Sequence, residues 1–215
     1  MPPHKPCADG PQAPQMECKL KRHTMFSAKT YAARRNMLRT KIGSGIILLP
    51  GNSLSPNNYP NNAYYFRQDS SFRYYFGLNT PSLAGLIDAD TGEEALYGDD
   101  FTVEDIIWTG PQPTLRELGA EVGVTATFPM AELEKRLRKA VSLGRKIHYL
   151  PPYRGETKLQ LSALLGIKPE LLHDYKSVEL MFAVAEMREK KSAEEVEAME
   201  RAFLIGYHMH TLAMH

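Results

Sequence analysis

Two oppositely charged residues, Arg67 and Asp69, lie at the centre of the most aromatic stretch of this chain. Residues 63–78 read AYYFRQDSSFRYYFGL and carry seven aromatic side chains. Charged groups held among large rings can set orientation at a protein–protein seam or at the mouth of a site, so both residues are candidates for that role. The residue pattern leaves one alternative open, an aromatic core strand that runs into a short helix.

The remaining titratable residues do not form a catalytic or metal-binding pattern. His208 and His210 are two positions apart on a predicted helix and diverge by about 200°. His208 and His215 share a face, but they are ~10 Å apart along the axis, whereas metal–nitrogen bonds are ~2 Å long. The adjacent carboxylates are expected to be solvated groups at turns: Glu93, Glu94, Asp99 and Asp100. The sequence therefore places no catalytic residue and no metal ligand in this chain.

Alternating apolar runs and amphipathic segments predict an α/β fold, with a partly antiparallel sheet flanked by helices. Strands are predicted at 45–50, 83–89, 94–98 and 146–150. Helices are predicted at 27–41, from 102 through Trp108, and at 114–121, 130–143, 157–165 and 192–215. Residues 178–187 form a further apolar segment that leads into the last helix. In the first helix Ser27 is the expected N-cap and Gly43 the stop, with Tyr31, Met37 and Leu38 on the buried face.

Composition restricts the setting in which the chain works. Residues 1–24 contain five prolines without apolar periodicity, which predicts a disordered leader that also holds both cysteines. The net charge of +1 lacks the basic footprint of a nucleic-acid-binding protein, so no nucleic-acid partner is expected. No apolar run approaches the ~20 residues needed to span a bilayer, and no signal peptide is evident. We therefore expect a cytoplasmic protein without a membrane partner.

The last segment predicts an amphipathic helix with an uncovered apolar face. Ser192 and Glu195 have the spacing of a capping box. The apolar face behind the cap consists of Val196, Met199, Phe203, Tyr207, His210 and Met214. No glycine or proline closes this helix, so we expect it to begin a further domain whose remainder lies beyond His215.

Four motifs, in order and at matching spacing, resemble the amino-terminal domain of Xaa-Pro aminopeptidases (aminopeptidase P) of the creatinase/prolidase superfamily. Residues 66–78 resemble that family's Phe-Arg-x-Asp-Ser-x-Phe-x-Tyr-Φ-x-Gly signature, in which Φ is apolar. The strand at 45–50 followed by Gly51-Asn52 is similar to its first strand and turn. Residues 108–110 resemble its Trp-x-Gly motif, and residues 188–196 resemble the junction that opens its catalytic domain. The resemblance spans residues 25–215.

The resemblance implies a non-catalytic domain of a larger enzyme. It implies a mixed sheet flanked by helices over 25–188, then a junction and the first helix of a "pita-bread" catalytic domain over 189–215. In the family, that catalytic domain binds two metal ions, usually manganese, and a metal-bridged hydroxide cleaves the bond before a penultimate proline. The family's five metal ligands, two Asp, one His and two Glu, all follow the point at which this sequence stops. No cofactor is therefore expected in this chain, and two manganese ions are expected in the full-length enzyme.

By the same resemblance, the domain would form part of the active-site entrance in a homo-oligomer. Family members are dimers or tetramers in which one subunit's amino-terminal domain lines a neighbour's entrance, which restricts access to short Xaa-Pro peptides. Trp108 becomes the candidate substrate contact, and Arg67 and Asp69 are candidates for the same seam. The alternative for Trp108 is a core position under its own helix. Alternatives for the whole chain are a scaffold module whose parent lacks metal ligands, or a prolidase or creatinase relative.

Overall fold

A five-stranded mixed sheet forms the centre of the protein. The computed structural model describes residues 24–59 and 62–214, so the expected disordered leader, Thr24 apart, lies outside the described residues. The strands are β1 Ile46–Pro50, β2 Ala84–Asp88, β3 Glu94–Tyr97, β4 Ala126–Phe128 and β5 Ile147–His148. Their order across the sheet is β4-β3-β2-β1-β5. The β1–β2 and β2–β3 pairs are antiparallel, and the β1–β5 and β3–β4 pairs are parallel. The mixed α/β architecture predicted from the sequence is confirmed.

Helices cover both faces of this sheet. They are α1 Ala28–Ile42, α2 Ser70–Phe76, α3 Val103–Thr109, α4 Leu115–Glu121, α5 Met130–Ser142, α6 Gly155–Leu165, α7 Val178–Glu189 and α8 Ala193–Met214. Side chains alternate along β1, so Ile47 and Leu49 pack in the cluster with α1, α2, α4 and α7. Ile46 and Leu48 pack in the opposite cluster with α5 and α6. The continuous apolar run of β1 therefore reflects burial on both faces.

Four sequence expectations required correction. Strand β4 was not predicted, because its three residues carry no distinctive periodicity, and β5 is shorter than the predicted 146–150. Met37 is 54% exposed, and the buried face of α1 includes Arg34 and Arg35 instead. The aromatic segment contains the expected short helix, α2, but residues 64–69 before it are irregular rather than a strand. The backbone of those residues is held by side-chain hydrogen bonds instead.

The buried guanidinium of Arg35 connects four elements. Its Nε donates to Glu94 Oε2 at the start of β3 at 2.7 Å. Its Nη1 donates to the carbonyl oxygen of Tyr75 in α2, and its Nη2 donates to the carbonyl oxygen of Val122 after α4, each at a distance of 3.0 Å. The side chain is fully buried, so each of these bonds replaces water that the charge has lost. Glu94, expected from sequence to be solvated, is therefore a partly buried structural ion-pair partner.

Helix α8 contacts the domain mainly at its first turn. The predicted capping box is present: the amide of Ser192 donates to Glu195 Oε2 at 2.8 Å, and the amide of Glu195 donates to Ser192 Oγ. The other oxygen of Glu195 lies 3.2 Å from Arg34 Nη2 as an ion pair without hydrogen-bond alignment. Thr30 of α1 donates to Glu194 at 2.9 Å. Helix α8 is therefore joined to α1 by two consecutive carboxylates.

We predict that Arg35→Ala lowers the free energy of unfolding by about 3–5 kcal/mol, because it leaves Glu94 and two carbonyls without their buried donor. The matched control is Arg39→Ala on the same helix, whose guanidinium bonds only the Asn36 side chain and which should cost less than about 0.5 kcal/mol. Urea unfolding followed by circular dichroism measures both changes. Equal losses in the two variants would contradict the role assigned to Arg35.

Candidate functional site

The candidate residue Trp108 lies on α3, a short helix that turns its apolar side chains outward. None of the seven residues of α3 is buried, and the Trp108 side chain is 83% exposed. The alternative that Trp108 packs as core beneath its helix is therefore wrong. The exposed apolar surface around it, here called the α3 patch, comprises Phe101, Val103, Ile106, Ile107 and Trp108.

Hydrogen bonds at its ends, and not burial, hold α3 in shape. Thr102 and Asp105 form a capping box: Asp105 Oδ2 accepts from the Thr102 amide at 2.9 Å, and the Asp105 amide donates to Thr102 Oγ1. Hydrogen bonds from the Thr102 hydroxyl and from the Thr102 amide lower the pKa of the Asp105 carboxyl, so the carboxylate persists to acidic pH. At the other end, Gly110 has a φ of 76°, a region that favours glycine, and its amide closes the helix on the Ile106 carbonyl.

Two aspartates join the α3 segment to the body of the domain. Asp100 Oδ1 accepts from the Leu115 amide in the first turn of α4 at 2.6 Å. Asp99 Oδ1 accepts from the amide of Met130, the first residue of α5, at 3.1 Å. Both are exposed, as expected from the sequence, but each satisfies an amide that has no partner within its own helix. Sequence reasoning missed this positioning role, because the two partners lie 15 and 31 residues away.

Arg67 and Asp69 have different surroundings. Asp69 is the N-cap of α2, and its Oδ1 accepts from the amides of Ser71 and Phe72, each at 2.9 Å. Arg67 is exposed, and its guanidinium makes no hydrogen bond or ion pair to any residue that the structure describes. No hydrogen bond or ion pair among the described residues joins Arg67, Asp69 or Trp108 to one another. Asp69 thus has a structural function in the fold, whereas Arg67 is free to contact another molecule.

The buried residue between them, Gln68, holds the irregular segment in place. Its Oε1 accepts from the amides of Asn52, after β1, and Asp69, at 2.6 and 2.8 Å. Its Nε2 donates to the Thr80 carbonyl at 2.7 Å. A Cβ on Gly51 would lie 3.0 Å from Gln68 Oε1 and 2.7 Å from the Leu83 carbonyl, so this close approach requires glycine. The hydrogen bonds of Gln68 therefore support the backbone on which the exposed Arg67 is carried.

The cavity beside α5, of about 470 Å³, is lined mainly by charges that already have partners. Arg145 donates to Asp88 and Asp90, and Arg136 makes two 2.8 Å bonds to Glu93. Burial raises the pKa of Asp88, but hydrogen bonds from Arg145 and from two backbone amides outweigh it, so that pKa lies below its usual range. These ion pairs link α5 and the residues after it to the sheet, which is a structural role.

The described residues do not form a metal-binding cluster. Within residues 24–59 and 62–214, no three His, Cys, Asp or Glu side chains are grouped so that they could hold a metal ion. His148 lies in β5, and His208 and His210 lie on α8. The described part of the chain therefore has no fit to a dinuclear metal centre, and no chemical step can be assigned to its residues through one.

The apolar face of α8 is uncovered over most of its length. Met199, Phe203, Tyr207 and His210 line a groove of about 570 Å³ together with two small residues, Ala202 and Gly206. No residue of α8 within the described chain is buried. Separately, none of the described helices combines the length and the hydropathy needed to cross a bilayer.

The structure is thus a mixed α/β domain with two outward apolar surfaces, the α3 patch and the face of α8. The family model "Aminopeptidase P, N-terminal domain" matches residues 31–149, and the chain belongs to this family. The matched region runs from Tyr31 in α1 through β5 and includes Arg67, Asp69 and Trp108. A search of curated protein sequences found no match.

Solved structures of bacterial enzymes share this fold. Proline aminopeptidase P II from Yersinia pestis is similar over 88% of this chain and 45% of its own, with 22% identity and a TM-score of 0.71. A point variant of Escherichia coli aminopeptidase P in complex with substrate has 21% identity and a TM-score of 0.72 over the same shares. The low-pH form of the Escherichia coli enzyme has 20% identity and a TM-score of 0.67 over 82% and 42%. The chain thus spans less than half the length of these enzymes.

We predict that Asp69→Ala lowers the free energy of unfolding by about 1 kcal/mol, because two amides in the first turn of α2 lose their acceptor. Asp69→Asn should retain most of the stability, since asparagine caps helices about as well as aspartate. Arg67→Ala should change it by less than about 0.5 kcal/mol, because the guanidinium is exposed and unpaired. Chemical denaturation of the three variants tests this, and a large loss in Arg67→Ala would contradict the assignment.

Proposed function

We propose that this chain is the amino-terminal domain of a Xaa-Pro aminopeptidase that works as a homo-oligomer, in which the α3 patch lines the active-site entrance of a neighbouring subunit. The observation that carries the proposal is the exposure of Trp108 together with four further apolar side chains on one short segment. A contiguous apolar surface of this kind marks an interaction site, because water solvates it poorly. A tryptophan at such a surface is the residue type that most often dominates binding energy.

The position of the patch supports an entrance role. Helix α3 is held by caps at both ends and by Asp99 and Asp100, so its side chains are presented from a fixed backbone. A ring with only two side-chain torsions loses little entropy when it meets a peptide or a second subunit. Arg67 is an exposed charge in the family signature, without a partner among the described residues, and is available to orient such a contact.

The second apolar surface, on α8, supports a catalytic domain as the next part of the protein. The groove through Phe203 and Tyr207 suits helix packing, because Ala202 and Gly206 leave room for close approach. We place the two manganese ions of the enzyme in that domain, where a metal-activated hydroxide would supply the nucleophile for hydrolysis. This chain's own part is to shape access, so that short peptides with a penultimate proline enter and folded chains do not. We assign the enzyme to the cytoplasm.

For the chain by itself, we predict no hydrolysis of Xaa-Pro tripeptides with added Mn²⁺, because its described residues include no metal-ligating cluster. Release of the N-terminal amino acid, measured by chromatography against a buffer blank, tests this. The control is the full-length protein under the same conditions. Turnover by the isolated chain would refute the non-catalytic assignment, and a full-length protein that neither binds manganese nor turns over would favour the scaffold alternative.

In the full-length enzyme, we predict that Trp108→Ala reduces kcat/KM for Xaa-Pro peptides by about tenfold or more, as expected for loss of an aromatic anchor at a binding site. Thermal stability should change little, because the side chain is exposed. Leu159→Ala, which removes a similarly exposed apolar side chain from α6, is the matched control and should keep full activity. Unchanged kinetics in Trp108→Ala would contradict the entrance role.

A further inference from the structure

A buried histidine, His148, takes part in a chain of hydrogen bonds outside the surfaces described above. Its Nε2 lies 3.1 Å from the Ser44 carbonyl, and its Nδ1 lies 2.7 Å from Ser177 Oγ. Ser177 is the N-cap of α7, so its Oγ also accepts from the Leu180 amide at 3.2 Å. The same Oγ lies 3.0 Å from Glu179 Oε2. The chain therefore joins the loop before β1, strand β5 and helix α7.

This serine–histidine pair cannot act as a nucleophile and its base. Ser177 is 2% exposed and His148 is 4% exposed, so no substrate can reach the hydroxyl oxygen. By contrast, the Glu179 side chain is 61% exposed, and its other oxygen accepts from Lys146 Nζ at 2.9 Å. The chain of hydrogen bonds thus leads from solvent at Glu179 to a buried imidazole, which is an arrangement suited to moving a proton.

Counting protons shows that this network has two states. A carbonyl only accepts, so His148 Nε2 must carry hydrogen and donate to Ser44. In a neutral ring Nδ1 is then an acceptor, and both it and Glu179 compete for the single hydroxyl hydrogen of Ser177. If His148 gains a proton at Nδ1, it donates to Ser177 Oγ, and the Ser177 hydroxyl donates to Glu179. The three hydrogen bonds His148–Ser44, His148–Ser177 and Ser177–Glu179 can therefore all form at once only when His148 is protonated.

We propose that His148, Ser177 and Glu179 form a proton-sensitive lock between β5 and α7. At neutral pH the Ser177 hydroxyl donates to His148. When His148 takes up a proton, the hydrogen bond between them reverses direction and the Ser177 hydroxyl turns to Glu179. The Leu180 amide keeps its acceptor in both states, so α7 stays capped while the lock changes.

The charged groups that face the imidazole ring shift the pKa of His148 in opposite directions. Burial and the Lys146 ammonium lower the pKa of His148, whereas the Ser44 carbonyl and the Glu179 carboxylate of α7 partly offset them. Hydrogen bonds from Lys146 and from its own backbone amide are the two largest causes that lower the pKa of Glu179 to about 2, so its carboxylate stays charged and available as an acceptor. On the β1 side the neighbour is Gly45, whose amide bonds Asp90 and whose missing Cβ would lie 3.1 Å from His148 Nε2.

The direction in which pH changes the folding stability follows from the lowered pKa of His148. In the unfolded chain His148 takes up a proton near its ordinary pKa of about 6.5, before the folded protein does. Between that pH and the lower pKa of the fold, the unfolded state binds more protons, so stability falls as the pH falls. The contribution of His148 is fully present above about pH 6.5 and is lost as the pH drops through the pKa of the folded state.

The test is a pH titration of the whole chain with ¹⁵N-labelled histidine, followed by nuclear magnetic resonance. We expect the His148 signal, identified by its loss in His148→Gln, to show a neutral ring protonated at Nε2 and a pKa below the ordinary histidine value of about 6.5. Glu179→Gln should lower the His148 pKa further, because it removes the negative charge, and Lys146→Gln should raise it. A neutral ring protonated at Nδ1, or a His148 pKa at or above about 6.5, would overturn the proposal.

Thermal unfolding gives an independent readout. From about pH 7.5 to about pH 5, the wild-type Tm should fall more than that of His148→Gln, which has no proton to gain at this position. The control, His173→Gln, removes an exposed histidine and should lose as much Tm as the wild type. Equal losses in His148→Gln and the wild type would also overturn the lock. If His148→Gln does not fold, the titrations of the wild type, Glu179→Gln and Lys146→Gln decide whether the proposal holds.

Discussion

The domain depends on the fully buried guanidinium of Arg35 in α1. Removing a guanidinium from water is costly unless its donors are satisfied, and here the acceptors come from α2, β3 and the end of α4. Those acceptors are separated from Arg35 by 40 to 87 residues, so the charge is satisfied only after most of the sheet and one helical layer have assembled. A satisfied charge of this kind favours one arrangement over apolar alternatives that pack almost as well. The adjacent Arg34 lies against the rings of Phe26 and Tyr74 and pairs with Glu195, so α1 serves the core and the junction together.

The two outward apolar surfaces, on α3 and α8, lie on helices that are fixed by hydrogen bonds at their ends rather than by burial of their side chains. Helix α3 has no buried residue, yet its capping box and the bonds made by Asp99 and Asp100 define its path. Helix α8 is similar, with a cap and two carboxylates at its first turn and an open apolar face beyond them. Such a design presents tryptophan, isoleucine and phenylalanine side chains to partners without placing them in the core.

Much of this architecture could be read from the sequence, and the failures have physical causes. The strand at Ile46–Pro50, the two strands on either side of Asp90, the Ser27 cap and the capping box at Ser192 are local signals, and all are present. The aromatic signature and the Trp-x-Gly motif indicated the family, which the family model confirms. The inward face of α1 was misread, because arginine is normally exposed and only distant acceptors make its burial possible. The linking roles of Gln68, Asp99 and Asp100 were missed for the same reason, since each depends on a partner far along the chain.

Glu195 divides its carboxylate between two tasks, one oxygen on the Ser192 amide and the other on Arg34. The rotational setting of α8 is therefore coupled to α1 at its first turn. Inserting one residue within the helix between Glu195 and Phe203 would rotate the rest of α8 by about 100° relative to Glu195, and would point the groove of Phe203 and Tyr207 in another direction. The number of residues between Glu195 and that groove is therefore under tighter geometric constraint than their composition.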